Sequence, residues 1–319
     1  MAKTIFILGA GASHPYGFPL GGTLISEILE RTEIELDPKT GQYLNTNGLL
    51  NLLLPEFQEH HINAFRKHLE ESELNSIDSF LSHNTQFLKI GKACIAYIIL
   101  EYEQKSIQRN KLKGDWYKYF WNELSSEVPN NFDFKIYTFN YDRSLSYYLF
   151  SKSKETFSSD KVKHLNYHRS IPIIHLHGNL GSIEYGDLGP IHEYKHLENL
   201  ATQIKVIFEV QPDTKFEELQ LDIKTAQHIV FLGFGFHPDN IKRLGFPDLK
   251  FTCPNPKFYA STMGLLEGEI ETRFLNYLRK LNFEDGKTTQ IIGPPAEYKD
   301  ADCLLFLREK FPFQYIFKS

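Results

Sequence analysis

The chain has 319 residues, 41% of them hydrophobic and 24% charged, enough for one large α/β domain with an insertion or for two domains with separate cores. A net charge of −5 supplies no general basic field, so the runs at 105–113 and 152–163 read as solvated faces and nucleic acid is not an expected partner. Cys94, Cys253 and Cys303 are far apart and form no Cys-x-x-Cys pair, so neither a disulfide framework nor a zinc ribbon is indicated and a reducing compartment fits.

Residues 4–8 are β-branched, aromatic or Leu, as in a strand buried on both faces. No basic leader precedes them, so no targeting segment is expected. Gly9 and Gly11 then permit a sharp turn and the approach of a ligand to bare backbone, with a following helix aiming its N-terminal dipole at the same point. The pattern outlines a phosphate-binding turn, and equally a tight structural turn without ligand. Leu20, Leu24, Ile25, Ile28 and Leu29 recur at helical spacing. A dehydrogenase fingerprint would need a third glycine where His14 stands and an acid closing a second strand. Glu35 and Asp37 are near that place, but 37–41 reads as a turn and no helix and third strand follow.

From about 45 to 128 strand-like alternation disappears. A helical insertion is expected there, dividing a Rossmann-like domain into residues 1–44 and 129–319. Phe57, Ile62, Phe65 and Leu69 make one stripe, Ser76 is placed to N-cap 77–81, and Ala93 to Leu100 is apolar all round and belongs at the centre of its layer. That run is far shorter than the ~20 residues of a bilayer span, so a soluble, cytoplasmic protein without a membrane partner is expected. Trp116, Tyr119, Phe120 and Leu124 mark a last amphipathic helix, and these aromatics read as core.

Strand character returns at Phe134 to Phe139, followed by a short helix at 143–150. Strands at 171–177, 228–233, 257–261 and 288–292 then alternate with helices near 215–226, 266–281 and 300–311. Alternating βα units predict an α/β fold: a Rossmann-like, mostly parallel sheet with helices on both faces and ligands at the carboxyl ends of its strands.

Four polar clusters fall at those ends: 9–13, 138–142, 177–178 and 233–235. At strand spacing Thr138, Asn140 and Asp142 point the same way. Each residue also has a structural use: Asn140 can hold a left-handed turn, Asp142 can cap the helix at Arg143, and His177 can end a strand with its hydrogen bonds satisfied. His192, Glu193 and His196 match the H-E-x-x-H pattern of zinc proteases, but they follow Gly186 to Pro190 in a polar connection and read as a coincidence, so no metal is expected.

Gly9 to Ser13, Thr138-Phe139-Asn140-Tyr141-Asp142, Leu176-His177-Gly178 and Gly233 to Pro238 occur in the order, and roughly at the spacing, of the sirtuin-like family. The chain most resembles the family's bacterial defence-associated branch, a further signature of which is similar to Ser76 to Leu81. The resemblance spans nearly the whole chain. It implies a Rossmann-type domain binding NAD, with Gly9, Ala10, Gly11, Ala12 and Ser13 around the pyrophosphate. Thr138, Gly178, Gly233, Phe234 and Gly235 count with the cofactor contacts, and Asp302 and Cys303 match the place where sirtuins hold adenine, although Cys303 also reads as a buried thiol. By the same resemblance Asn140 and Asp142 lie near the nicotinamide and its ribose, and His177 is the general base.

Two departures separate the chain from the protein-deacylating sirtuins. No cysteine lies between Gly178 and His228, where two Cys-x-x-Cys pairs would hold zinc, and Phe139 stands after the motif threonine. The residues for cleaving the nicotinamide bond remain. Nicotinamide departs neutral from a cationic ribosyl ring and needs no acid, so the site has only to stabilise that ring and deliver water. Asn140 can orient the water or a ribose hydroxyl, Asp142 can hold the carboxamide, and a histidine of ordinary pKa, about 6.5, can take the proton. The expected function is an NAD glycohydrolase acting in antiviral defence by NAD depletion. The alternatives are a catalytically silent NAD or ADP-ribose sensor module and, further off, a protein deacylase or ADP-ribosyltransferase. An unregulated enzyme would exhaust its own cell's NAD, and no separate sensor domain remains in the chain. An off state is therefore expected, relieved by self-assembly, an infection-made ligand or a partner encoded alongside, which in related systems is a ring-forming ATPase or a nucleotide-processing enzyme. The helical insertion is the expected contact surface.

Overall fold

The computed structural model describes residues 3–44, 47–108, 115–126, 132–182, 191–206, 214–246, 248–254, 256–276, 282–283 and 301–318. Its central sheet holds β1 (Thr4–Leu8), β2 (Phe134–Thr138), β3 (Ile173–His175), β4 (His228–Leu232) and β6 (Lys257–Ala260), all parallel, in the order β3-β2-β1-β4-β6. A second, two-stranded sheet pairs β5 (Lys250–Phe251) with β7 (Asn282–Phe283). β1 and β4 are buried at every residue, as an uninterrupted apolar run requires of a parallel strand covered on both faces. The chain builds outward from β1 to β3 and then returns to the other side of β1 with β4. The switch point therefore lies between β1 and β4, where the α/β class leaves its ligand crevice. Leu8 sits level with both Thr138 and Leu232, so the loops after β1, β2 and β4 emerge together.

Pleating sorts the strands between two cores. Phe6, Leu8, Ile136, Val230 and Leu232 face a core with α7 (Asp115–Ser125), α8 (Ser144–Thr156), α9 (Lys161–Arg169) and the last helix, α14 (Cys303–Glu309). Ile5, Ile7, Tyr137, Ile229 and Phe231 face another with α11 (Thr214–Thr225) and α12 (Pro238–Arg243). A third core lies off the sheet, in a cap formed by α2 (Gly21–Arg31), α3 (Gly48–Leu53), α4 (Glu59–Glu71), α5 (Ile77–His83), α6 (Leu88–Gln108) and α10 (Tyr194–Ala201).

This cap crosses the boundaries read from sequence at 45 and 128. α2 and α10 lie outside them yet pack on α6, whereas α7 lies inside them and belongs to the sheet layer. Trp116 Nε1 donates to the Ala12 carbonyl at 2.8 Å, and the Phe120 ring meets Phe6 edge-on at 5.5 Å. Within 45–128 the described elements are helical, Ser76 caps α5 through the Ser79 amide, and Ala93 to Ala96 are fully buried in α6. No helix among the described residues is long and apolar enough to cross a membrane.

Other elements differ in extent from the sequence expectation. The helix after the glycine turn is a single turn, α1 (Ala10–Ser13), continued by a 3-10 turn at His14–Tyr16 that carries Pro15. Gly17, at φ 91°, ends it, so the amphipathic stripe from Leu24 to Ile28 starts a separate helix. β3 is three residues long, α8 runs on to Thr156, and the helix at 266 is α13 (Glu267–Ile270) continued by a π-helical turn, Glu271–Leu275. The strand expected at 288–292 lies outside the described residues.

The junction of the β1 and β4 loops tolerates no side chain. Gly233 has φ +56°, and a Cβ there would stand 1.9 Å from the Ala12 amide nitrogen. Gly233→Ala is therefore expected to cost at least about 3 kcal/mol in urea unfolding. Two residues on, a Cβ at Gly235 would meet nothing within 4 Å, and Gly235→Ala should stay within about 0.5 kcal/mol of the parent. Equal stabilities for the two variants would refute the packing account.

Candidate active site

A cleft of about 290 Å³ opens at the switch point. Gly9 and Ala10 line it after β1, Phe139 to Asp142 after β2, and Phe234 and Gly235 after β4. The cap closes the other side with Asn75 to Ser79, at the head of α5, and Ile99 of α6. Three of the four polar clusters thus meet in one crevice. The fourth stands behind its wall: His177 is buried, its ring 5.6 Å from that of Phe139 and 5.8 Å from that of Tyr141.

The glycine loop is shaped first by its own backbone. Gly9 N–H donates to Leu232 O at 3.0 Å, Gly11 N–H to Gly233 O at 2.9 Å, and Ala12 N–H to Gly9 O at 2.9 Å. A Cβ on Gly9 or Gly11 would lie 2.6 or 2.9 Å from Gly233 O. The glycine pair is thus required by the β4 loop before any ligand arrives. Of the five residues expected around a pyrophosphate, Gly9 and Ala10 line the cleft, whereas Ala12 and Ser13 are buried beneath it. A one-turn helix also carries little of a macrodipole. A valine at Gly11 would therefore strike Gly233, and its effect on binding could not be separated from damage to the loop.

Asn140 reaches across from β2 to this loop. Its Nδ2 donates to Gly9 O at 2.9 Å and to Ser13 Oγ at 3.0 Å. Because a carbonyl oxygen only accepts, the nitrogen must face Gly9, which fixes the amide's orientation. Both amide protons are then committed, and Oδ1 has no protein partner among the described residues. Thr138 Oγ1 accepts from the Asn140 amide at 3.0 Å, tightening the turn.

Asp142 is buried. Its Oδ1 accepts from the Ser144 amide at 3.1 Å and from Ser144 Oγ, so it does cap the first turn of α8, although Arg143 is the N-cap residue. Burial pushes its carboxyl up to about 6, against the opposing pull of hydrogen bonds from Ser144 and Ser13. His175, which the sequence did not single out, shares a small cavity of about 10 Å³ with Ser13, Thr138, Asn140 and Asp142. Its Nδ1 is 3.1 Å from Asn140 O and must donate, while Nε2 is buried without a hydrogen-bond partner among the described residues. Burial lowers this imidazole to about 4.

The two shifts have opposite pH signatures. The Asp142 carboxyl is raised from 3.8, so its contribution is fully present below about pH 4 and is lost as pH rises through about 6. The His175 imidazole is lowered from 6.5, so its contribution is present above pH 6.5 and is lost as pH falls through about 4. Between these limits they oppose one another. Asp142→Asn removes one of them, so the stability of this variant relative to the parent should rise from pH 4.5 to pH 6 at about 1 kcal/mol per pH unit. Urea unfolding at the two pH values measures it, and a pH-independent difference would contradict the assignment.

His177 is held on both nitrogens. Nδ1 lies 3.2 Å from Lys205 O and Nε2 lies 3.1 Å from Arg243 Nη1. A carbonyl cannot donate and a guanidinium cannot accept, so Nδ1 carries the proton and the lone pair sits on Nε2. The Arg243 guanidinium stacks 4.3 Å over Phe216. Asp78 Oδ1, from the cap, lies 3.7 Å from His177 Nδ1 and accepts from the Tyr141 hydroxyl. Gly178 fixes the adjoining backbone: at φ +71° it bridges to Ile204, where a Cβ would lie 1.9 Å from Gln203 O. Asp78, Tyr141 and Arg243 are the polar neighbours that sequence reading passed over. Asp78 and Tyr141 lay inside motifs already noted, but nothing in the sequence marked Arg243.

Asp302 and Cys303 do not line the cleft. Asp302 caps α14 through the Leu305 amide at 2.7 Å. Cys303 is a buried thiol, pushed up to about 12 by burial, beside Ser261 Oγ, which in turn accepts from Gly233 N–H. The H-E-x-x-H match straddles the start of α10: Glu193 is the N-cap and His192 precedes it, so the two histidines do not share a helical turn. Among the described residues no group of three His, Cys, Asp or Glu side chains is placed to hold a metal ion.

No family model matches the chain, and no curated protein matches it.

Proposed function

We propose that the cleft takes NAD and that the chain hydrolyses the bond between nicotinamide and ribose, releasing nicotinamide and ADP-ribose. The observation that carries this reading is the fixed amide of Asn140, which lines a glycine-floored crevice at the switch point of a parallel sheet and whose Oδ1 has no partner among the described residues. That oxygen can accept a hydrogen bond from a ribose hydroxyl or an attacking water. Asp142, on the same turn, is ionised above about pH 6 and supplies negative charge where a ribosyl cation would form. The ordered motifs shared with the sirtuin-like family support the same reading, and a role in antiviral defence by NAD depletion rests on that resemblance.

For His177 to act as the base, Arg243 must first leave Nε2. Once the imidazole is protonated, Asp78 lies near Nδ1 to stabilise the imidazolium. A resting state with the basic nitrogen occupied fits an enzyme awaiting an activator. The cap supplies Asp78, so a partner protein or a second copy of the chain that binds the cap would act on the site directly.

Purified protein is incubated with NAD, alone and with its candidate activators, and free nicotinamide is followed by chromatography beside NAD binding by calorimetry. Nicotinamide release that requires NAD and saturates with it supports the proposal. Tight NAD binding with no release under any condition overturns it in favour of a sensor module.

A further inference from the structure

A second concavity, of about 320 Å³, lies at the opposite end of the same strands. Lys3 precedes β1, His228 opens β4 and Lys257 opens β6, so a full strand, about 15 Å, separates it from the cleft. The His228 ring stacks on Tyr315 with centroids 3.9 Å apart and planes 9° from parallel. The Lys3 and Lys257 ammonium groups stand 6.0 and 5.7 Å from the centre of the Tyr315 ring. Two cations therefore flank one aromatic pair, and neither is ion-paired among the described residues. His228 is only 5% exposed, and its Nδ1 is buried with no hydrogen-bond partner among the described residues. Burial first, and then the two lysines, lower this imidazole to about 4, so it is neutral at physiological pH.

Each of these features is unfavourable by itself. Like charges repel across the pocket, and a buried imidazole nitrogen without a partner loses its hydration. A doubly charged oxyanion relieves the first by pairing with the two ammonium groups, and its negative charge beside the ring favours the imidazolium. The volume exceeds that of a bare phosphate and falls within the range of small-molecule sites. We infer that this concavity binds a phosphate-bearing small molecule, its phosphate held by Lys3 and Lys257 beside the stacked rings of His228 and Tyr315. The inference is independent of what the cleft at the other end of the sheet does.

The pocket contains its own reporter. Cys253 is in its wall and partly exposed, whereas Cys94 and Cys303 are buried, so a neutral alkylating reagent reads Cys253. Iodoacetamide labelling of Cys253 is timed by peptide mass in chloride, inorganic phosphate and glycerol phosphate at matched ionic strength. Saturable protection is expected, about tenfold at ten times the dissociation constant, and it should vanish in the double variant Lys3→Gln, Lys257→Gln. In the parent, the ligand should also raise the pKa of His228 followed by NMR. Protection at lower concentration by the ester assigns the site to a phosphorylated metabolite, and equal protection assigns it to free phosphate. Identical rates in phosphate and chloride, or protection that survives loss of both lysines in a variant with parental circular dichroism, would overturn the inference.

Discussion

His177→Ala and Asn140→Ala are each expected to lower nicotinamide release by about 10² to 10⁴-fold, with NAD affinity changed far less. A positioned base acts on the transition state, so its loss falls on the rate; this range corresponds to about 3 to 5 kcal/mol of barrier. Neither side chain forms part of an apolar core cluster, which makes a folded variant attainable. Asn140→Ala does remove two hydrogen bonds to the glycine loop, so Asn140→Asp serves as its companion. Asp keeps an oxygen in place of Oδ1 but sets a second acceptor against Gly9 O, so it should damage the loop at least as much as Ala does while retaining more activity. The rate is measured as nicotinamide formed under the activating condition, and affinity is measured by calorimetry on the same preparations. Parental rates in both His177→Ala and Asn140→Ala would remove these residues from the reaction. An affinity loss as large as the rate loss would make them binding residues.

The sheet was legible because its strands are short apolar runs bounded by glycine or polar turns, and burial on both faces demands that composition. Five strands appear within a residue or two of the expected bounds, in the parallel sheet that βα alternation predicts, whereas their order in the sheet was not legible. Periodicity cannot say which partner a helix chooses. α7 has the same kind of stripe as α4, yet Trp116 and Phe120 go to the sheet while Phe65 and Leu69 go to the cap. The site was legible where it follows strand ends, at Gly9, Asn140 and Asp142. It was hidden where distant segments converge. Arg243 closes a six-residue helix and reaches His177 from 66 positions away, and Asp78 arrives from the cap. The glycines were correctly marked as special, but the immediate cause is the backbone of Gly233 rather than a ligand.

The cap is tied to the site by a buried ion pair, and cutting it should destabilise the protein more than any surface change. Arg143 follows Asp142 directly, and Glu103 lies on α6; their side chains are 2% and 3% exposed. Glu103 Oε2 accepts from Arg143 Nη2 at 2.6 Å, both carboxylate oxygens lie 3.2 Å from Nε, and Oε1 also accepts the Arg143 amide at 2.6 Å. Nη1 donates to Leu180 O at 3.0 Å. Glu103→Ala leaves a guanidinium and an amide without their acceptor in a dry interior, and is expected to cost about 3 to 5 kcal/mol in urea unfolding. The double variant Glu103→Leu, Arg143→Met removes both charges together and should recover most of that loss, because the pair's mutual attraction is largely offset by its desolvation. A Glu103→Ala cost below about 1 kcal/mol would contradict the geometry, since that is the range of exposed pairs. The double variant then separates stability from position. If the ion pair also sets the 139–142 turn against the cap, nicotinamide release under the activating condition should stay below the parental rate even where unfolding stability has returned. Full release from the double variant would show that apolar packing alone positions the cap.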